Sequence, residues 1–429
     1  MLRPYLQLPR QVHILCAGTL VNRAGSFVLV FLTIYISDDL KLGVPFATAC
    51  VGVLGFGSLI ASLLGGQLAD QIGRRFVMLL ALFGGAAMLL VMSRQTEKAP
   101  LAASIFAFAV LNDMYRPAAS AMIGDLVSSE QRPLAFGLMY IAINLGFAVS
   151  PPIGGFLATY SFDWLFWGDS ATTTLYAIIV LCFVAETRPK TPRRGFPVIV
   201  ESEDNDSSAN ADATPSATIP VHENIPVGAA LRRILSDSTF VLFCLAMLMI
   251  TIVFMQGIST LPLYMRSCGL SKSWVGGLLA INGVMIFALQ LPITHVLTRF
   301  DRIRVIAMGA LLIGIGTGLT SFAHTPWAFA LTIATWTFGE MAQAPFANAV
   351  VSDLSPPELR GRYMGLFSMC FAAAIMIGAP TGGALLDHYG GAALWLGAFG
   401  LALVAMCVML SIQRRVRERT HPVHASDTH

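Results

Sequence analysis

Four ionisable residues lie inside long apolar stretches of the chain: Arg23, Asp113, Arg116 and Glu340. A charge near the centre of a bilayer costs roughly 2.5–3.5 kcal/mol, so such residues usually face a cavity or a partner. Asp113 and Arg116 are three positions apart and share one helix face. A carboxyl group that burial keeps neutral and a nearby arginine keeps charged can take up and release a proton. We therefore predict Asp113 and Glu340 as proton-coupling sites; Glu340, without a basic neighbour on its own helix, is the more easily neutralised.

These residues have a structural alternative. Arg23, Asp113 and Arg116 could form a salt bridge that only holds helices together, with Glu340 retained by hydrogen bonds. Polar side chains on neighbouring stretches are either substrate contacts or interhelical hydrogen-bonding groups, and the sequence favours neither. The candidates for the substrate cavity are Arg23, Asn22, Arg116, Gln256, Asn282 and Gln343, with Asn144 and Gln290 as weaker ones.

Composition indicates the solvent in which these charges are embedded. The 429 residues are 55% hydrophobic and 12% charged, with a mean hydropathy of +0.70, whereas soluble domains carry about 25% charged residues. A membrane helix needs about 20 mostly apolar residues. We predict an all-α membrane protein with twelve transmembrane helices in two six-helix pseudo-symmetric bundles. Spans 1 to 12 are 13–36, 46–66, 76–93, 101–124, 134–160, 165–185, 238–263, 274–296, 304–322, 327–352, 363–386 and 391–412.

The spans divide the chain into four parts. Residues 1–186 form the first bundle and 237–412 the second. The intervening residues 187–236 include an acidic, Ser/Ala/Pro-rich segment that cannot bury a core and are predicted as a largely disordered cytoplasmic linker, with Arg232 and Arg233 on a short amphipathic helix. Residues 413–429 form a basic tail. Lys and Arg concentrate on the side that carries both termini, which predicts a multi-pass protein of the bacterial inner membrane with cytoplasmic termini.

Several classes of function have no support in the sequence. The seven cysteines form no CxxC pair, so neither a disulfide scaffold nor a zinc site is expected. Residues 1–13 lack a cleavage site typical of a signal peptide. No G-x-x-x-x-G-K-[ST] phosphate loop, HExxH or nucleophile elbow is present. We expect no enzyme activity, no catalytic residues, no metal, no cofactor and no nucleic-acid partner. The expected partners are a small-molecule substrate, protons and the lipid bilayer, and the expected form is a monomer.

The two halves repeat each other at an offset of 228 positions. Pro117, Asp125 and Gly137 correspond to Pro345, Asp353 and Gly365. Further matches of the same polar or conformationally special types link Glu130, Arg132, Pro152, Gly154 and Gly155 to Glu358, Arg360, Pro380, Gly382 and Gly383. A parallel repeat places a substrate between the halves near the midplane.

The loop after span 2 reads GQLADQIGRR over residues 66–75. It resembles the G-x-L-A-D-x-x-G-R-[RK] signature of the major facilitator superfamily, a resemblance that covers the whole chain. The resemblance implies a charge network at a cytoplasmic gate, and small glycines allow close helix approach. The predicted gate residues are Gly66, Asp70, Gly73, Arg74, Arg75, Asp125 and Asp353. The counterpart in the second half, around residues 297–304, keeps its basic residues without the glycines and the aspartate, which predicts a weaker gate.

Span 5 carries a second pattern, G-x8-G-x3-G-P-x2-G-G with serine at one glycine position. It consists of Gly137, Gly146, Ser150, Pro151, Gly154 and Gly155. This pattern resembles the motif of the drug–proton antiporter branch of the superfamily, although small residues in membrane helices also serve packing alone. In the family fold, spans 1, 4, 7 and 10 line the cavity. The four embedded charges lie on spans 1, 4 and 10, and the eight spans that do not line the cavity are expected to carry no charge at their middle.

The resemblance implies a secondary transporter. The leading hypothesis is proton-coupled antiport that exports small amphipathic compounds or drugs by alternating access. The alternatives are proton symport of a polar metabolite or peptide, for which the arginines would bind an anionic group, and movement of a lipid-like substrate.

Overall fold

The computed structural model describes residues 7–128, 131–187, 227–356 and 359–420. The predicted linker lies largely outside this part of the chain, as does the end of the predicted tail. The first half contains α1 Arg10–Ala24, α2 Phe27–Ile34, α3 Val44–Ile72, α4 Arg74–Met92, α5 Lys98–Asp113, α6 Tyr115–Leu126, α7 Arg132–Tyr160 and α8 Asp163–Phe183. The second half contains α9 Val227–Ser236, α10 Ser238–Ser259, α11 Leu261–Ser267, α12 Lys272–Leu297, α13 Arg302–Leu319, α14 Pro326–Leu354 and α15 Arg360–Thr420.

The helices coincide with the predicted spans, although some are divided or joined. Span 1 is divided into α1 and α2, span 4 is divided at Met114, and spans 11 and 12 form one continuous α15 that Gly390 interrupts with a φ of 80°. Nine helical stretches within the described ranges are long and apolar enough to cross a membrane. The amphipathic helix expected at Arg232 and Arg233 is α9, and α15 continues into the residues predicted as a tail.

Short polar side chains explain where several helices begin. The first backbone N–H groups of a helix have no partner within it, and a capping oxygen satisfies one of them. Asp237, Ser271 and Asp301 each accept a hydrogen bond from the backbone N–H three residues further on, at 3.0–3.3 Å. Gly73, between α3 and α4, has a φ of 112°, a conformation that favours glycine.

The two halves pack against each other at one end of the helical bundle and not at the other. The basic end carries Arg74 and Arg302; the closed end, at the other end of the same helices, carries Asp38 and Arg266. A buried apolar cluster at the closed end draws on both halves, for example Phe31 and Phe329. The two clusters nearer the basic end each belong to one half. The halves therefore share a core at the closed end only.

Glycine contacts between the halves are related by the same offset of 228. The α-carbon of Gly276 on α12 lies 3.2 Å from the position of an added Cβ at Gly155 on α7. The same offset relates this contact to that of Gly383 on α15 with Thr48 on α3. Another pair of equivalent contacts joins Gly283 to Ala148 and Gly55 to Met376. The structure thus relates the two halves by a pseudo-two-fold axis.

Candidate functional site

The polypeptide of span 1 is interrupted between α1 and α2, at Gly25 and Ser26. The interruption leaves the backbone N–H of Val28 to donate to Oδ2 of Asp169 on α8, at 3.3 Å. The hydroxyl of Thr173 lies 3.5 Å from Oδ1 of Asp169 and accepts a hydrogen bond from the amide of Asn22 at 2.9 Å. Asn22, predicted as a cavity residue, is therefore part of a buried polar cluster between α1 and α8.

Asp169 is a charge that the sequence pattern did not single out, and it lies near the start of span 6 rather than at its middle. Its side chain is buried, with 6% of the residue exposed. It stabilises an interrupted helix because a carboxylate accepts the N–H that the interruption frees. The sequence signal that was available is an aspartate within an apolar run, next to Ser170 and close to the threonine run 172–174.

Arg23 lies in the last turn of α1 beside this cluster and is also buried. Its Nε has no hydrogen-bond partner among the described residues, and its guanidinium carbon lies 5.9 Å from the centre of the Phe147 ring. Asp113 and Asp169 are near enough to act electrostatically on it. Because a buried guanidinium normally pairs with an anion, Arg23 has capacity for one more anionic or hydrogen-bond-accepting partner.

Asp113 and Arg116 form the predicted pair, with 3.6 Å between Oδ1 and Nε. The hydroxyl of Ser58 on α3 donates to the other carboxylate oxygen, Oδ2. Arg116 is about half exposed. The proposed salt bridge of Arg23 with Asp113 and Arg116 therefore exists in part: Asp113 pairs with Arg116, and Arg23 adds a longer-range interaction.

Glu340 lies on α14 and is held by neutral groups. Asn282 on α12 donates from Nδ2 to Oε2 of Glu340 at 2.7 Å and lies 3.2 Å from the hydroxyl of Thr337. Glu340 is also near enough to interact electrostatically with Tyr140 on α7 of the other half. No basic side chain acts on Glu340 within the described ranges. The structure thus brings Glu340 and Asn282 together, as two of the predicted site residues.

Gln256 and Gln343 are both buried and contact neighbouring helices. The Gln256 amide is buried; it donates to the carbonyl oxygen of Gly378 at 2.8 Å and accepts from Thr260 at 3.0 Å. Its hydrogen bonds join α10 to α15, so the interhelical alternative applies. Gln343 is buried against Gly309 of α13, and its Oε1 has no partner among the described residues.

The glycine pattern of span 5 serves two interfaces. Gly146 and Gly154 lie against α1 and α2, where added Cβ atoms would meet the backbone at Arg23 and the ring of Phe31. Gly155 and the carbonyl of Pro151 face α12 in the other half. Ser150 is fully buried, whereas an added Cβ at Gly137 would meet no atom within 4 Å. The pattern therefore allows close packing near Arg23 and at the contact between halves.

The predicted gate charges meet at the basic end. Arg74 pairs with Asp70 at 3.0 Å and with Asp125 at 3.1 Å. Glu186, which the sequence analysis missed, accepts hydrogen bonds from the backbone N–H groups of Arg74 and Arg75 at 2.9 and 3.0 Å. Its carboxylate is placed at the N-terminus of α4, where negative charge is favourable. The Arg75 side chain donates to the carbonyl of Leu181 at 2.5 Å.

Gly66 does not allow the close helix approach expected of it, because an added Cβ there would meet no atom within 4 Å. The adjacent Gly65 does: its added Cβ would lie 2.8–3.0 Å from atoms of Pro117 and Met114. One helix position rotates the side chain by about 100°, and the sequence pattern alone does not indicate which glycine faces the neighbour.

The second half contains an equivalent of the gate pair. Arg302 forms an ion pair with Asp353, and these residues stand 228 positions after Arg74 and Asp125. The expected loss of the glycines and aspartate is real, but the central arginine–aspartate pair is preserved. Arg302 and Asp353 are more exposed than Arg74 and Asp125, so solvent weakens this second pair.

The closed end joins the halves by polar contacts. Nε of Arg266 lies 3.1 Å from Oδ2 of Asp38. Lys272 donates from Nζ to the carbonyl of Ala158 at 3.2 Å, and its Nζ lies 4.1 Å from the centre of the Phe162 ring. These contacts add a cation–π interaction and an ion pair to the glycine contacts between the halves.

We expect Arg74→Gln to reduce transport more than Arg302→Gln. Arg74 is buried and pairs with two aspartates, whereas Arg302 is exposed and pairs with one. The loss of one charge-assisted pair costs about 1.5–3 kcal/mol, equivalent to a tenfold or larger change in the gate equilibrium. Initial transport rates of the two equally expressed variants measure the difference, and equal rates would contradict the assignment of the main gate to the first half.

We expect Asp169→Leu to lower stability by about 1–3 kcal/mol, because it leaves the Val28 N–H without its acceptor and the Arg23 charge less compensated. Asp169→Asn retains an acceptor oxygen and should lose less. Thermal unfolding in detergent provides the measurement. Asp163→Leu, at the exposed start of the same helix, is the matched control; an equal loss there would show that the effect is not specific to the helix interruption.

Among the described residues, no three His, Cys, Asp or Glu side chains come together as possible metal ligands. The charges instead occupy an all-helical bundle with repeated halves, which defines a multi-pass membrane transporter. The chain belongs to the Major Facilitator Superfamily, whose sequence profile matches residues 15–287 and 258–428.

Two relatives and one solved structure illustrate the similarity. The Na(+), Li(+), K(+)/H(+) antiporter of Planococcus maritimus is 25% identical, over 83% of this chain and 85% of its own. Multidrug resistance protein MdtH of Aeromonas hydrophila is 22% identical, over 76% and 75%. A POT family transporter solved in complex with a thioalcohol-conjugated peptide has a TM-score of 0.77 at 15% identity, covering 96% of this chain and 99% of that one. This last likeness concerns the fold.

Proposed function

We propose that this protein is a proton-coupled antiporter that exports small amphipathic compounds or drugs. The main supporting observation is Glu340, an embedded carboxyl group with the amide of Asn282 as its close partner and no basic side chain acting on it among the described residues. Without such a basic partner, the carboxylate can be neutralised by a proton or by a positively charged substrate. Competition between the two for one carboxylate links their movements in opposite directions.

Asp113 has a different role in this proposal. Its carboxylate forms an ion pair with Arg116 and accepts a hydrogen bond from Ser58. A proton that binds Asp113 would have to break this pair. We propose that protonation of Asp113 breaks its contacts with α3 and α6. We propose Glu340 as the site at which proton and substrate compete.

The packing of the halves supports alternating access. The close contacts between halves lie towards the closed end, and added Cβ atoms at Gly137 and Gly365, towards the basic end, would meet nothing within 4 Å. We propose that the two halves move as six-helix units, with the basic end cytoplasmic as the excess of Arg and Lys indicates. The structure then corresponds to the state open to the cytoplasm, with the protein a monomer in the bacterial inner membrane.

This proposal requires twelve membrane spans. The nine long apolar stretches leave out α14 and the divided α5 and α6 and treat α15 as one. Gly390 separates α15 into two membrane-length segments, and α5 with α6 together match one span. Both termini then fall on the same side of the membrane.

Arg23 supports a second candidate function. A buried guanidinium with an unpartnered Nε suits a carboxylate or another anionic group, as proton symport of a polar metabolite or peptide would require. The two functions predict opposite proton movement. The names of the two relatives, a monovalent cation/proton antiporter and a multidrug resistance protein, favour the antiport direction.

Proteoliposomes with a trapped pH-sensitive dye test the proposal. Addition of an amphipathic cation to vesicles with an imposed proton gradient should cause protons to move opposite to the compound. Protein-free vesicles control for permeation of the compound itself. Proton movement in the same direction as a peptide or anionic metabolite, without a response to the cations, would favour symport and contradict antiport.

A further inference from the structure

An apolar groove lies on the outer side of the second half, between α12, α13 and α14. Its volume is about 890 Å³, in the upper part of the roughly 300–1,000 Å³ typical of small-molecule sites. Its walls include Pro292, Val296, Met308 and Phe338, and Thr335 and Arg304 are the polar residues of its lining. Almost the whole wall therefore offers only apolar contacts.

The groove is separate from the proposed transport site. Thr335, Phe338 and Ala342 line it from α14, whereas Thr337 and Glu340 point to Asn282. At about 100° per residue, these two sets occupy opposite faces of α14. The groove therefore opens towards the surroundings of the bundle, and in a membrane protein those surroundings are lipid.

The mouth of the groove is positively charged. Arg304 lies in its lining, at the basic end, and is exposed. Exposed Arg299 is close by in the same turn region, and within the described ranges neither guanidinium has an ion pair. Asp301 accepts the backbone N–H of Arg304, and the nearby Arg302 is already paired with Asp353. The free positive charge at this position complements an anionic group.

The length of the groove and its apolar wall indicate which kind of ligand fits it. Arg304 and Leu312, both in the groove lining, are about 12 Å apart along α13 at 1.5 Å per residue. One leaflet contributes about 15 Å of hydrocarbon. A water-soluble ligand would need polar groups along the wall, whereas an acyl chain needs none. Basic pockets between membrane helices on the cytoplasmic side bind anionic headgroups.

We propose that this groove is a binding site for an anionic phospholipid, with an acyl chain between α12, α13 and α14 and the headgroup phosphate at Arg304. The orientation of the lipid rests on the proposed cytoplasmic assignment of the basic end. Lipid binding itself is independent of transport, so the failure of one proposal can be distinguished from the failure of the other.

Purified full-length protein in detergent can be titrated with phosphatidylglycerol and phosphatidylcholine, and bound lipid counted by native mass spectrometry. The wild type should retain phosphatidylglycerol more strongly. Arg304→Gln should weaken phosphatidylglycerol binding about fivefold, the factor expected for one basic residue near an anionic lipid, and leave phosphatidylcholine binding unchanged. Arg10→Gln, an exposed arginine at the same end in the other half, is the matched control and should change neither.

A second variant tests the groove itself. Thr335→Phe fills part of the apolar volume and should weaken binding of both lipids, while an unchanged unfolding temperature verifies that the bundle is intact. Equal retention of the two lipids by the wild type would overturn the proposal. So would an equal effect of Arg10→Gln and Arg304→Gln, or a loss of drug transport in folded Thr335→Phe with lipid binding unchanged, which would make the groove a substrate path.

Discussion

Replacement of Glu340 by glutamine is expected to abolish proton-driven transport while the protein folds and inserts normally. Glutamine keeps an oxygen that can accept the hydrogen bond from Asn282, so the local packing is retained. It cannot bind and release a proton, so a proton gradient no longer drives the substrate. Substrate uptake driven by a proton gradient, in proteoliposomes with equal amounts of wild type and variant, measures the effect.

Two further variants separate this effect from general damage. Glu97→Gln, at an exposed position, removes the same charge outside the site and should transport as the wild type does. Asp113→Asn should also lose gradient-driven transport, because it removes the protonatable partner of Arg116. Full gradient-driven activity in both Glu340→Gln and Asp113→Asn would eliminate these carboxyl groups as the coupling sites.

We expect Gly155→Val to prevent the two halves from packing together at the closed end. An added Cβ at Gly155 would lie 2.7 Å from the carbonyl oxygen of Lys272 and 3.2 Å from the α-carbon of Gly276. The first of these separations is too short for a stable contact, and backbone atoms cannot move aside as a flexible side chain can. Overpacking costs about 1–3 kcal/mol, which is about a fivefold or larger shift away from the state sealed at this end. Transport should fall accordingly.

Gly137→Val provides the matched control, because it makes the same substitution in the same helix at a position where an added Cβ would meet nothing within 4 Å. Spin labels at the exposed closed-end positions 41 and 273, on opposite halves, report their separation by pulsed electron resonance. Longer distances are expected in Gly155→Val and an unchanged distribution in Gly137→Val. Unchanged distances in both would show that the contact does not control closure.

The helical elements were predictable because the length of an apolar run determines whether it can cross a bilayer. The charge network of the loop after α3 was expected from the resemblance of residues 66–75 to the family signature, and Asp125 repeats as Asp353. The pair Asp113–Arg116 follows from spacing alone, because residues three apart share a helix face. These features depend on local sequence or on a repeat.

Features that depend on helix orientation were missed or placed wrongly. Membrane helices are apolar on all sides, so periodicity does not indicate which neighbouring helix a given face of α10 contacts. The hydrogen bond of Gln256 to α15 could therefore not be predicted. Asp169 is a clear example: its partner, the N–H of Val28, lies 141 positions away and is free only because the helix is interrupted at Gly25. Glu186 lies just after its span and similarly meets residues from a distant loop.

The ion pair between Asp38 and Arg266 breaks the symmetry of the two halves. These residues stand 228 positions apart, the same offset that relates the glycine contacts, so each is the other's counterpart and the pair lies on the pseudo-two-fold axis. In an assembly of two identical halves, such positions carry identical side chains, and two aspartates or two arginines there would repel. This attraction can exist only after the halves diverged in sequence. The ion pair is therefore a contact that only a chain with two non-identical halves can make.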